Sequence, residues 1–173
     1  MENGKIYFFT ASILNWKPIL FDSRLKSIIL DSLKFLIMED AIKIYGFVIM
    51  PNHIHLILMP LDNPKFKYVQ LSFMRFTSQK IKFYLQDKSP EKLNDFLVNK
   101  KDRKYQIWQR NSLATELYSR KIIEQKLDYI HSNPFLGKWM LAESPLDYPW
   151  SSFNFYEGKN DQFNFLTHYM DDV

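Results

Sequence analysis

Apolar residues along this chain follow two periods, one of strands and one of helices. Tyr7 to Ile13 is nearly unbroken in its apolar and β-favouring residues and reads as a buried strand. After Pro18 and Asp22, the residues Leu25, Ile28, Ile29, Leu33, Leu36 and Ile37 recur at helical spacing. Ile42 to Met50 and His53 to Met59 read as two strands joined by the turn signal Pro51-Asn52, hence a hairpin. A helix is predicted over 68–86, with Val69, Phe73, Phe76, Ile81 and Phe83 among its apolar positions. The pattern breaks over 87–104, where Pro90 and Lys100-Lys101-Asp102-Arg103-Lys104 point to a basic, mobile insert. Tyr105 to Gln109 reads as a short strand and Ser119 to Asn133 as a helix ended by Pro134. The tail holds Pro145, Pro149 and a further aromatic cluster.

The order β-α-β-β-α-β-α predicts an α+β fold of the split βαβ plan. That is an antiparallel sheet with helices on one face, followed by a C-terminal helix and an aromatic tail. In that plan the His53 strand is central, so both its faces are covered or functional. A chain of 173 residues without repeat or linker fits one domain over 1–173, with its core at about 5–156. Hydrophobic residues at 46% supply enough surface to exclude a disordered chain. The absence of cysteine excludes a disulfide scaffold, a thiolate metal site and a cysteine nucleophile. No apolar run reaches the roughly 18–20 residues of a spanning helix. Glu2 precedes the Ile6–Leu14 stretch and no small-residue cleavage site follows it, so a cytoplasmic, non-membrane protein is expected.

The net charge of +4 conceals an asymmetry. Residues 64–126 carry 15 Lys and Arg against 6 Asp and Glu, a local net of +9, while the remainder is acidic. Such a run is either a solvated face or a surface for a polyanion, where cations set against phosphates release counterions.

The chemistry concentrates in two segments. In Pro51-Asn52-His53-Ile54-His55-Leu56, the two-residue period of a strand puts His53 and His55 on one face. Their Cα atoms are about 6.5–7 Å apart. Two imidazoles so placed either hydrogen-bond at a sheet edge or converge on a cation with positions left for oxygen ligands. A histidine-triad hydrolase needs a third alternating histidine where Ile57 stands, and a two-histidine phosphoesterase needs a second His-x-Ser/Thr copy that is missing. In Lys126-Leu127-Asp128-Tyr129-Ile130-His131-Ser132-Asn133-Pro134, the residues Ile123, Leu127 and Ile130 form a core stripe. Tyr129 and Asn133 lie one turn apart on its flank. The pair reads either as ordinary helix-flank residues or as a nucleophile with an amide ligand; Tyr84, Tyr105 and Tyr118 are rival nucleophiles.

Four blocks in order resemble the single-tyrosine HUH transposases, and among them the REP-associated tyrosine transposases. They are Tyr45-Gly46-Phe47-Val48-Ile49-Met50-Pro51-Asn52-His53-Ile54-His55, Ile107-Trp108-Gln109-Arg110, Tyr129-Ile130-His131-Ser132-Asn133-Pro134 and Asp147-Tyr148-Pro149-Trp150-Ser151-Ser152. The resemblance implies a ferredoxin-like catalytic domain that nicks and rejoins single-stranded DNA beside an imperfect hairpin. It implies Tyr129 as the nucleophile, His53, His55 and Asn133 as ligands of Mg²⁺ or Mn²⁺, and a 5′-phosphotyrosine intermediate. It further implies a bacterial protein, monomeric or homodimeric, associated with the nucleoid when on DNA. The chain departs from the pattern after Asn133-Pro134, where Phe135-Leu136-Gly137-Lys138 replaces a Val-Arg-Ala-Gly run, and in the length of the 87–104 insert.

Lys80, Lys82, Lys100, Lys101, Arg103, Lys104, Arg110, Arg120 and Lys121 are candidate phosphate contacts, with Tyr105 and Trp108 as candidate stacking platforms. Trp108 reads equally well as core, because the Ile107-Trp108 strand must pack somewhere. Because the basic third lies between the histidine strand and the tyrosine helix, it is expected to frame the site. Two other functions stand beside this one: a non-catalytic hairpin-binding regulator of the same fold, and a metal phosphoesterase acting on a small nucleotide.

Overall fold

The computed structural model describes residues 4–61, 66–159 and 162–173. In chain order these form β1 (Ile6–Ser12), α1 (Ser23–Met38), β2 (Ile42–Ile49), β3 (His53–Pro60), α2 (Phe66–Lys88), α3 (Pro90–Asn94), β4 (Leu97–Lys100), β5 (Arg103–Tyr105), β6 (Leu113–Leu117), α4 (Arg120–Ser132) and α5 (Phe153–Tyr156). The main sheet is antiparallel with order β2-β3-β1-β6, so the histidine strand is interior as predicted.

The strand period sorts β3 between two layers. Ile54, Leu56 and Leu58 face α1 and α2 in a core that includes Phe9, Leu33 and Phe73. Ile57 and Met59 face the opposite layer, where α4 supplies Ile123, Leu127 and Ile130. Each such fully buried side chain stabilises the fold by about 1.5–3 kcal/mol. The two helices expected on one face are there, and the C-terminal helix covers the other. Capping fixes the starts of α1 and α4: the Asp22 carboxylate accepts from the Arg24 N–H at 2.9 Å, and Ser119 Oγ accepts from that of Ile122.

Gly46 sets how closely α4 approaches the sheet. It sits at a register irregularity in β2, and a Cβ built on it would lie 2.7 Å from Leu127 Cδ2 and 3.1 Å from Ile130 Cδ1. The tail closes the other side of β2. Ile49 N–H donates to the Trp150 carbonyl and Ser152 N–H to that of Phe47, so residues 150–152 occupy the strand edge. Ser152 Oγ also meets Phe47 N–H at 3.0 Å and His131 Nε2 at 2.8 Å, tying α4 to the tail and to β2.

Two expectations are corrected. The fourth strand of the sheet is Leu113–Leu117, not Tyr105–Gln109; Tyr105 ends β5, and Trp108 makes a single bridge to Ile13. The 87–104 segment carries regular structure, α3 and the β4–β5 hairpin, anchored by the buried Leu93 and Phe96. Those two side chains supply the apolar burial that a free insert lacks.

Candidate active site

His53 and His55 stand on the α4 side of β3 with ring centroids 4.8 Å apart. Each is oriented through Nδ1. His55 Nδ1 lies 2.8 Å from Thr10 Oγ1, its direct neighbour in register on β1. His53 Nδ1 lies 2.7 Å from Asn52 Oδ1. The Asn52 amide has only one orientation, because its Nδ2 donates to the Trp16 carbonyl. Oδ1 must therefore accept, and His53 carries its proton on Nδ1 with a lone pair on Nε2. His55 Nε2 is buried and has no hydrogen-bond partner among the described residues. Burial lowers the His53 pKa to about 4, and burial together with the charges of His53 and Lys126 lowers that of His55 to about 3. Both rings are thus neutral near pH 7, with Nε2 atoms suited to a cation and their orientation fixed from the far side.

Tyr129 reaches the same place from α4. Its ring meets His55 edge-on at 5.3 Å and Phe8 at 6.1 Å, and Phe8 stacks on His55 at 5.2 Å, so the three rings form one cluster. Tyr129 remains 47% exposed, so the phenol is open to a substrate. Asn133 caps the same helix one turn on and is half-buried, its side chain making no hydrogen bond among the described residues. No cluster of three His, Cys, Asp or Glu that could hold a metal ion exists among the described residues.

Several contributors escaped the sequence reading. Thr10 and Asn52 are one. Lys126, three residues before Tyr129, places Nζ 4.7 Å from the Phe8 ring centre and 5.6 Å from that of Tyr129; helical spacing was its available signal. Trp16 is 55% exposed at 5.9 Å from His53, and it and Asn15 both adopt left-handed backbone, φ 55°. Such strain persists where surrounding structure enforces it, here in part through the Asn52 bond to the Trp16 carbonyl.

The predicted DNA-contacting residues divide. Lys80 and Lys82 lie on α2, and Lys100, Arg103, Lys104 and Tyr105 belong to the β4–β5 hairpin with Lys101 at its turn. α2 packs on the face of the sheet opposite the histidines, so little of the basic third reaches Tyr129: Lys126 lies over its ring, while Arg120 and Lys121 stand at the far, N-terminal end of α4. Arg120 is held by Glu124 at 2.7 Å. Of the two readings of Trp108, the structure shows the core one and not the stacking platform, since it is 4% exposed and its Nε1 donates to the buried Thr77 hydroxyl. Of the rival tyrosines, Tyr84 lies on α2 and donates to Asp22, while Tyr118 is 82% exposed at the start of α4's entry loop.

No protein-family model matches the sequence, and none of the curated proteins does. Among solved structures, the chain is similar to a REP-associated tyrosine transposase bound to a REP hairpin. The TM-score is 0.63 at 19% identity, covering 92% of this chain and 84% of the other. It also overlaps a candidate transposase from Deinococcus radiodurans R1 at TM-score 0.49 and 14% identity, covering 74% of this chain and 90% of that one. The chain therefore shares the fold of that REP-associated tyrosine transposase, the fold the four sequence blocks implied. Among the described residues, no helix is long and apolar enough to cross a membrane.

Proposed function

We propose that this protein is a transposase of the REP-associated tyrosine type that nicks and rejoins single-stranded DNA at imperfect hairpins. The observation that carries the reading is the meeting of Tyr129 with His55, two elements 74 residues apart in sequence, beside an unpartnered imidazole nitrogen. The structural neighbour bound to a REP hairpin supports the substrate class.

Tyr129 Oη attacks the scissile phosphorus. The P–O3′ bond breaks, its electron pair stays on O3′, and a proton from solvent completes the 3′-hydroxyl. The phenol proton leaves to water, and the 5′ end remains as phosphotyrosine. Attack by a 3′-hydroxyl reverses the step, so rejoining needs no nucleotide triphosphate. His53 and His55 through Nε2, with the Asn133 amide oxygen, form the donor set for Mg²⁺ or Mn²⁺. When bound, such a cation polarises the phosphate and neutralises charge building on its oxygens. Thr10 and Asn52 hold the imidazoles in the ligating orientation, and Lys126 adds positive charge beside the phenol. The protein acts in the cytoplasm on nucleoid DNA, as a monomer or homodimer.

The test is incubation with Mn²⁺ and single-stranded hairpins from the flanking genomic DNA, resolved on a denaturing gel. A covalent adduct in the wild type that vanishes in Tyr129→Phe and falls in His53→Ala and His55→Ala supports the reading. Hairpin binding without any adduct makes the protein a regulator, and metal-dependent release from a small nucleotide alone makes it a phosphoesterase.

A further inference from the structure

A second cationic feature lies outside the histidine site. Between α2 and residues 102–112 runs a groove of about 800 Å³. Lys67, Arg75, Lys82, Arg103 and Arg110 line it against a single carboxylate, Asp102. Apart from the Arg103–Asp102 pair, none of these cations forms an ion pair among the described residues. Uncompensated like charges lining one crevice raise its potential, and an anion drawn into it relieves that repulsion.

Arg103 adds a directional feature. Its Nη1 lies 3.2 Å from Asp102, but Nε and Nη2 are covered and have no hydrogen-bond partner among the described residues. Those two donors form one side of the guanidinium fork. Rotation of the side chain toward the groove it lines presents both to two oxygens of a phosphate, the pairing that suits guanidinium best. The remaining lining suits bases: the half-buried ring of Tyr105, and the side-chain amides of Gln79 and Gln109, which make no bond among the described residues.

The groove also connects to the proposed site. Gln109 N–H donates to the Ser12 carbonyl and Leu14 N–H to that of Ile107, and Ser12 pairs in register with His53. Two inter-strand spacings, about 10 Å, therefore separate the Gln109 main chain from that of His53. Arg110 follows Gln109 in the chain and lines the groove.

We infer that this groove is a clamp for single-stranded DNA, taking the backbone of the strand that continues past the histidine site around the end of the sheet. The inference rests on the proposed nicking function for the identity of that strand. The clamp and the chemistry lie on opposite faces of the sheet, so substitutions in one leave the other intact.

The experiment is fluorescence anisotropy of the full chain with labelled dT15 over a salt series. The triple variant Arg75→Gln/Lys82→Gln/Arg110→Gln is compared with the charge-matched Arg24→Gln/Lys34→Gln/Lys159→Gln. Three lost phosphate contacts flatten the slope of log K against log salt by about 2 for a single strand. That flattening is expected in the groove variant and not in the control. Arg103→Lys keeps the charge but loses the fork, so it binds more weakly than wild type. Should a variant melt early, photocrosslinking of 5-iodouracil oligonucleotides to wild-type Tyr105 gives the same answer without substitution. Equal slopes in the two triple variants, binding of blunt duplex as tight as dT15, or crosslinks absent from 102–112 overturn the clamp. Absence of the Tyr129 adduct with the groove effect intact overturns the nicking function instead.

Discussion

Replacing Gly46 by alanine tests how the fold positions Tyr129, the proposed nucleophile. The added Cβ would stand 2.7 Å from Leu127 Cδ2, 3.1 Å from Ile130 Cδ1 and 3.3 Å from Ser152 Oγ. Comfortable carbon–carbon contact is about 3.5–4.0 Å, so either the Leu127 and Ile130 side chains repack or α4 retreats by roughly 1 Å, and burial of both side chains favours the retreat. Leu127 and Ile130 flank Tyr129 on a stiff helix, and Ser152 is the hydroxyl bonded to His131 on that helix. A retreat of α4 carries the phenol with it. Overpacking of this kind costs about 1–3 kcal/mol of stability, and a displacement near 1 Å at a reacting group costs on the order of 10²-fold in rate. The assay pairs a urea midpoint with the rate of adduct formation on a hairpin oligonucleotide. Adding Leu127→Val makes room and should recover part of both losses, a coupling that distant substitutions lack. A folded Gly46→Ala protein with wild-type adduct rate would refute the idea that α4's seat on this glycine positions Tyr129.

Two further outcomes follow from the site. Asn52→Ala and Thr10→Val each free a histidine ring to turn, so Mn²⁺ affinity measured by titration calorimetry should fall roughly 10–100-fold with the fold intact; unchanged affinity would remove these residues from the site. In the metal-free protein, burial holds His53, His55 and His131 below their ordinary value, at about 4, 3 and 4. Between about pH 6.5 and 4 the unfolded chain binds protons that the folded chain does not, so stability is full above pH 6.5 and lost as pH falls. Melting temperatures should drop steadily from pH 7 to pH 5, and a flat or rising profile would contradict the assigned burial.

The parts of the fold legible in the sequence are those whose burial follows a simple period. His53 and His55 fall on one face because Ile54, Leu56 and Leu58 must be buried on the other, and Leu127 and Ile130 fix the side of α4 that leaves Tyr129 outward. Strand β6 escaped because Leu113 to Glu116 are exposed; its main-chain pairing with β1 carries no alternating signal. The 87–104 segment escaped for a related reason, its two buried anchors, Leu93 and Phe96, being submerged among charges. Thr10 was hidden because its contact with His55 depends on the register of β1 against β3, and Asn52 because a turn residue reads as a turn residue until its amide partners are known. The position of α2 across the sheet from the histidines likewise emerges only from packing, and it divides the basic third that the sequence presents as one block.

The central claim is that Tyr129 is the nucleophile. Its most direct test is proteolysis and mass spectrometry of the covalent species formed with a hairpin oligonucleotide and Mn²⁺. A nucleotide mass is expected on the peptide containing Tyr129, fragmenting to a phosphotyrosine at that residue and absent from Tyr129→Phe. Nucleotide attached to Tyr84, Tyr105 or Tyr118, or cleavage with no protein-bound strand, would contradict it.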